Sequence, residues 1–419
     1  MVLIHGGLGI FAISANFMAS VLQGAQATDT FSVKPFKINL SGEVPRLNSL
    51  VNNSRLPAGA LYPGVGQEKG IEFDFLHELK TEWLTTFDWE TQQTQLNQQV
   101  RLQQFTATIE GLTVHFVHEK SKNPDAIPLI ALHGWPGSFD EFSPVIKPLT
   151  QESSVNGTTV SYHVVVPSLP GFTFSSAPPA NWTINDTARI FNTLMTEVLG
   201  YPTYVVHGTD WGSAVAYSLY SSFNTTVRAA HFVFLPFLPP SAEEIAVNNI
   251  TLSDIQKIAL QQTTDWSTTG NGYFLEQTTK PNDIGLALYD NPVGQLAWIG
   301  GKYKLWSDPR AGTPPSVLNS TAILTTLSLY YLTESFLSSV WIYAQNPNGF
   351  SSVYTKASTD RPMLFTQFEY NILWPEEYVA KTGNLVSYKE HNFGGHFSGL
   401  DNPPALIEDI QEMGLYYKA

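Results

Sequence analysis

The stretch "YVVHGTDWGS", Tyr204 to Ser213, decides how the rest of the chain is read. An apolar β-branched run ends at Val206, and a helix-forming stretch, "AVAYSLY", begins at Ala214. Between them Asp210 occupies the tightest point of a strand-to-helix turn. Gly208, Gly212 and Ser213 are small enough to let strand and helix approach each other. A nucleophile on such a strained turn stands exposed above the sheet. A lone Asp after a strand more commonly caps the following helix, but the frame of small residues favours the nucleophile.

The pattern around this turn repeats. On the N-terminal side lie "IPLIAL" (127–132), "YHVVVPSL" (162–169) and a helical stretch, "DTARIFNTLMTEVLG" (186–200); on the C-terminal side comes "RAAHFVFL" (228–235). Continuous β-branched runs separated by helical patterns signal parallel strands buried on both faces. Earlier, "FTATIEGLTVHFVHE" (105–119) alternates apolar and polar residues with Gly111 between two runs, which predicts an antiparallel hairpin at the start of the sheet. After Leu235 no convincing strand occurs until "RPMLFTQF" (361–368) and "LVSYKE" (385–390), so residues 236–357 read as a helical lid inserted over the strand ends. Residues 28–104 form an N-terminal helical segment with aromatic anchors at Trp83, Phe87 and Trp89, which must pack on something else. Residues 105–235 and 358–419 are then the two parts of the core.

Three motifs stand in the chain order of an α/β hydrolase, nucleophile, then acid, then histidine. The fold class is therefore α/β: the α/β-hydrolase fold, a mostly parallel doubly wound sheet with a helical lid. "HGWPGS", His133 to Ser138, follows the "IPLIAL" strand. In this fold a backbone N–H there and another just after the nucleophile converge on a developing oxyanion, roles that fall to Trp135 and Trp211. "FGGHFSGLDNP" places His396 in a glycine-framed loop after the last strand, where its ring can swing over Asp210. His391 lies outside that frame.

Composition narrows the partner. The chain has 419 residues, 43% hydrophobic and 13% aromatic, enough for a large core, and a formal charge of -14. Such an excess of acid excludes nucleic acid and anionic membrane surfaces as partners and points to a small molecule. With no cysteine, disulfides, thiolate metal sites and cysteine nucleophiles are excluded. No cluster of His and carboxylates at ligand spacing and no phosphate-cradling glycine-rich motif is visible, so no cofactor is expected. The run "IFAISANFMASV" followed by "AQAT" resembles a signal peptide cleaved after Ala27, although it lacks a basic n-region. Eight N-x-S/T sequons, at Asn39, Asn52, Asn156, Asn181, Asn185, Asn224, Asn249 and Asn319, fit a secreted glycoprotein. The apolar run is interrupted too early for a spanning helix, so no stable membrane anchor is expected; without cleavage the protein would stay in the cytoplasm.

With these motifs in view the chain resembles the microsomal-type epoxide hydrolases, including their soluble fungal members. The likeness spans nearly the whole length after the signal-like segment. It rests on "PFKINL", "FDWETQQTQLN", "IEGLTVHFVHEKS", "AIPLIALHGWPGSFDEF", the Asp210 turn, "TTKPNDIGLALYDNPVGQLAWIGGKYKLW" and "GGHFSGLDNP". The resemblance implies an epoxide as substrate, apolar to suit a lid rich in aromatic and aliphatic residues, and a homodimer, although no interface can be read. It also implies two lid tyrosines that hydrogen-bond the epoxide oxygen, and Tyr273 and Tyr343 occupy the matching positions. A carboxylate can open the strained ring and leave an ester that water then cleaves, whereas a serine would leave an ether. One position departs from the family: where it has an Asp or Glu to orient the histidine, this chain has Asn371, and Glu369 is the nearest acid. Glu369 is the expected orienter, because a neutral group would stabilise the imidazolium less; Asn371, fixing the tautomer without charge, is the alternative. Two other readings compete. A haloalkane dehalogenase shares the Asp turn but needs neither lid tyrosine, and a non-catalytic binding protein could keep the pocket as a receptor.

Overall fold

The computed structural model describes residues 30–98 and 103–418. The signal-like segment and its cleavage point after Ala27 lie outside the described residues. The main sheet contains β1 (Lys34–Phe36), β2 (Gln104–Ile109), β3 (Leu112–Glu119), β4 (Ile127–Leu132), β5 (Tyr162–Pro167), β6 (Tyr204–Gly208), β7 (Val227–Phe232), β8 (Pro362–Tyr370) and β9 (Asn384–Gly395). Its spatial order is β1-β2-β3-β5-β4-β6-β7-β8-β9. From β5 to β9 neighbours run parallel. Each of the first three strands is antiparallel to its neighbour, and β3 is antiparallel to β5. This is the α/β-hydrolase fold.

Every residue of β4, β5 and β6 is buried, the burial of a sheet covered on both faces. The hairpin turn between β2 and β3 uses two left-handed residues, Glu110 at φ +50° and Gly111 at φ +83°. Two features depart from the pattern read above. The N-terminal segment is not wholly helical: β1 pairs with β2, placing Phe36 against His115 and Phe174. The last strand runs on to Gly395, so His396 leaves directly from the strand end.

Between β7 and β8 the chain is helical from Ala242–Val247 to Phe336–Gln345. The N-terminal helices Val44–Asn53 and Phe73–Thr85 pack on these lid helices rather than on the sheet. Trp83 Nε1 donates to Ser328 Oγ at 3.1 Å, and Ile71 and Leu79 lie against Gly300 of the helix Pro292–Leu305. The N-terminal segment therefore braces the lid over the strand ends, the customary place for a site in an open α/β sheet.

Candidate active site

Asp210 takes φ +46°, a left-handed conformation that only the turn imposes on a residue with a side chain. The turn is fixed on both sides. Thr209 N–H donates to Leu132 O at 3.2 Å, Ser213 N–H to Thr209 O at 3.0 Å, and Ser213 Oγ to Asp210 O at 2.5 Å. Glycine is obligatory at two neighbours. A Cβ on Gly212 would lie 2.1 Å from Leu132 O, and one on Gly134 would lie 2.1 Å from Asp210 Oδ1.

The carboxylate is asymmetric in its surroundings. Trp135 N–H donates to Oδ1 at 2.7 Å, while Oδ2 faces His396 Nε2 at 3.7 Å. Burial pushes Asp210 up to about 7, and the backbone N–H groups of Trp211 and Trp135 pull it down. The structure thus brings Trp135, Trp211, Asp210 and His396 together.

His396 is walled by Trp306 and Phe234, with ring centroids at 5.2 and 5.5 Å. Burial lowers its pKa to about 4, so the ring is neutral near pH 7. Its Nδ1 lies 3.3 Å from Asn371 Oδ1. The amide cannot be turned over, because Asn371 Nδ2 donates to Val233 O at 2.7 Å and Oδ1 accepts from Ile372 N–H at 3.0 Å. An oxygen that only accepts requires the proton on Nδ1 and leaves the Nε2 lone pair facing Asp210.

Glu369 does not take the orienting position expected of it. It lies within β8, whereas Asn371 follows a turn in which its N–H donates to Phe368 O at 3.1 Å, so the two side chains leave the backbone in different directions. Glu369 Oε2 instead accepts from Arg310 Nη2 at 3.0 Å, and the same guanidinium holds Asp308 and Asn392 O. The strong guanidinium pairing explains the preference.

Tyr273 and Tyr343 project from the lid helices Gly272–Thr279 and Phe336–Gln345, with rings 6.0 Å apart and nearly perpendicular. The Tyr343 ring packs edge-on against Trp211 at 4.9 Å and Trp135 at 5.8 Å. Its hydroxyl is buried with no hydrogen-bond partner among the described residues, and burial raises the pKa of both phenols. One cleft joins Asp210, His396, Asn371 and both tyrosines, and its remaining wall is largely apolar: Phe234, Phe237, Leu238, Phe274, Phe350 and Ile372.

The comparisons with known proteins point to one family. Residues 33–142 match the family Epoxide hydrolase N terminus, and residues 127–296 match the alpha/beta hydrolase fold. A relative from Stigmatella aurantiaca is 34% identical over 82% of this chain and 76% of its own. Epoxide hydrolase 1 of Sus scrofa is 30% identical over 93% of this chain and 90% of its own. The chain belongs to the epoxide hydrolase family. Among solved structures of that family, Aspergillus niger epoxide hydrolase superposes with a TM-score of 0.77 at 34% identity, covering 91% of this chain and 95% of that one.

Some neighbours of the site carried no signal in the sequence. Trp306 and Phe234 enclose the histidine from elements far apart in the chain; both fall in stretches quoted above, but nothing local ties either of them to His396. Glu141 is a third such residue. It is buried near Asp210, where burial, Asp210 and Asp401 raise its pKa well above the carboxylate range. Asp401 itself is pushed up to about 7, chiefly by burial.

Proposed function

We propose that this protein hydrates an epoxide to a vicinal diol through an ester on Asp210. The observation that carries the reading is the split environment of one carboxylate. Oδ1 is held by the Trp135 N–H, and Oδ2 is left free between His396 and the lid tyrosines.

Asp210 Oδ2 attacks a ring carbon, the C–O bond breaks, and a lid phenol passes its proton to the departing oxygen. The Asp210 carbonyl then already lies in the donor pair formed by the Trp135 and Trp211 N–H groups. His396 Nε2 takes a proton from water as the water oxygen adds to Cγ, and the N–H pair holds the oxyanion. Collapse of the adduct expels the diol oxygen, which takes the proton from His396. The new carboxylic acid loses its proton, the phenolate regains one, and the site is restored. The apolar wall of the cleft supports aryl or alkyl epoxides as substrates.

Single turnover of a styrene oxide-type epoxide in water labelled with heavy oxygen tests the route. The expected result is label in the Asp210 peptide and none in the first diol; diol formed without label in Asp210 would mean direct attack by water and end this reading. Asp210→Asn serves as the inactive control. Export rests on the sequence and on the seven sequon asparagines that are exposed, Asn39, Asn52, Asn156, Asn181, Asn185, Asn249 and Asn319. A mass decrease of the secreted protein on deglycosylation is its test.

A further inference from the structure

Ring opening moves negative charge from Asp210 to a lid tyrosine. The Asp210 charge is consumed in the neutral ester, and the phenol that protonates the epoxide oxygen is left as a phenolate in a buried site. A phenolate there needs a compensating charge. The two tyrosines differ in this respect.

Lys302 lies in the last turn of the helix Pro292–Leu305, the end at which a cation is favoured by the helix dipole. Its Nζ donates to Trp298 O and sits over three aromatic faces, at 4.7 Å from the Trp298 ring, 4.9 Å from Tyr273 and 5.6 Å from Trp135. Tyr273 and Trp135 are stacked at 5.4 Å, and the ammonium lies beside the pair at similar distances from both rings. Lys302 makes no ion pair within 4 Å among the described residues. The Tyr343 ring is enclosed by Trp135, Trp211, Tyr273 and Phe274, and no cation lies over it among the described residues.

We propose that Lys302 is a positioning residue that makes Tyr273, rather than Tyr343, the proton donor to the opening ring. The inference rests on the hydration reading above and assigns unequal work to the two phenols. A positive charge over the face of a phenol stabilises the phenolate more than the neutral ring, because the phenolate concentrates charge on the ring and oxygen. Tyr273 transfers its proton, and Tyr343 contributes a hydrogen bond that it keeps.

The ammonium also borders a second, wider cleft that shares Gln262, Trp266, Tyr273 and Trp306 with the active-site cleft. The charged groups around that opening are Glu68 and Lys69 of the N-terminal segment and Asp265 at the end of the helix Asp254–Asp265. Lys304, on the same helix as Lys302, is paired with Glu72. Burial lowers Lys302 to about 7, so the cation that assists Tyr273 is lost as pH rises through neutrality. An arginine at this position keeps its charge over the whole range.

The test is a double-mutant cycle read by single-turnover kinetics, with formation and hydrolysis of the Asp210 ester followed separately by quenched mass analysis. Lys302→Met is expected to slow ester formation about tenfold and to leave ester hydrolysis within about twofold. In a Tyr273→Phe background the same change is expected to cost nothing further, whereas in a Tyr343→Phe background the tenfold loss persists. Lys302→Arg is expected to restore ester formation and remove its decline above pH 7. Equal losses in the two tyrosine backgrounds, an equal loss in both steps, or an alkaline decline retained by Lys302→Arg would each overturn the proposal. If Lys302→Met fails to fold, the pH profile of Lys302→Arg decides alone. Absence of any ester in the unaltered protein would instead remove the hydration route, a distinct outcome.

Discussion

Replacing Asn371 by Asp places an acid beside His396, and the structure allows its effect to be estimated. The new carboxylate oxygen would lie 3.3 Å from His396 Nδ1. At that range, with an effective dielectric near 20, the attraction to an imidazolium is about 4 to 5 kcal/mol, or about three pKa units before any opposing cost. Two costs oppose it. Position 371 is 2% exposed, so the charge must be desolvated, and the hydrogen bond to Val233 O is lost, leaving that carbonyl unpartnered. The lost bond alone costs about 1 to 3 kcal/mol of stability. The net expectation is that His396 rises from its present value of about 4 by one to two units. Ester hydrolysis, in which the ring becomes an imidazolium, should quicken about tenfold. Ester formation, which does not use His396 as a base, should stay within about twofold. Rapid-quench measurement of the ester fraction during turnover of Asn371→Asp checks this, the protein's folding being confirmed by its thermal transition. A folded variant whose ester hydrolyses no faster than that of the parent would refute the assignment of Asn371 as the group that orients His396.

Three further outcomes follow from the same geometry. Glu369→Gln should leave ester hydrolysis within about twofold, because its partner is Arg310 rather than His396, and a tenfold loss in the hydrolytic step would reinstate Glu369 as the orienter. Because Asp210 must be ionised to attack and its pKa lies near 7, ester formation should fall about tenfold per pH unit below 7, and a flat profile between pH 5 and 7 would contradict this. Burial pushes Asp409 up, but the hydrogen bond from His391, the charges of His231 and His391 and the bond from Lys389 outweigh it and hold the group down at about 2. Its folded-state pKa is thus depressed by nearly two units. That stability, about 2 kcal/mol, is present above pH 4 and lost as pH falls towards 2. Asp409→Asn should remove it, a loss that urea titrations at pH 7 and pH 3 can measure.

Local sequence patterns already contained much of the sheet and of the nucleophile turn. The central parallel strands β4, β5 and β6 are largely apolar runs because both their faces are covered, and the glycines at 134, 208 and 212 mark places where backbone and carboxylate come too close for a Cβ. Those constraints act over a few residues and leave a trace there. Which of Glu369 and Asn371 faces His396 was not legible there, because it depends on one turn after β8 and on competition for Arg310, whose partners Asp308, Glu369 and Asn392 come from three separate parts of the chain. Nothing near Glu369 in the sequence announces that the guanidinium has claimed it.

The sequence by itself determined the order of the chemical groups: a carboxylate on a strained turn, an N–H-bearing loop before it, a histidine after the last strand, and two tyrosines within a helical insertion. Tertiary structure decided what each group meets. It set the two oxygens of Asp210 in different surroundings, seated Asn371 on Val233 O so that it faces the ring, and laid Lys302 over Tyr273 but not over Tyr343. The physical reason is range. Backbone conformation and burial pattern are local properties written in neighbouring residues, whereas the pairing of charges and donors depends on which distant side chains the packed lid and sheet bring within a few ångströms.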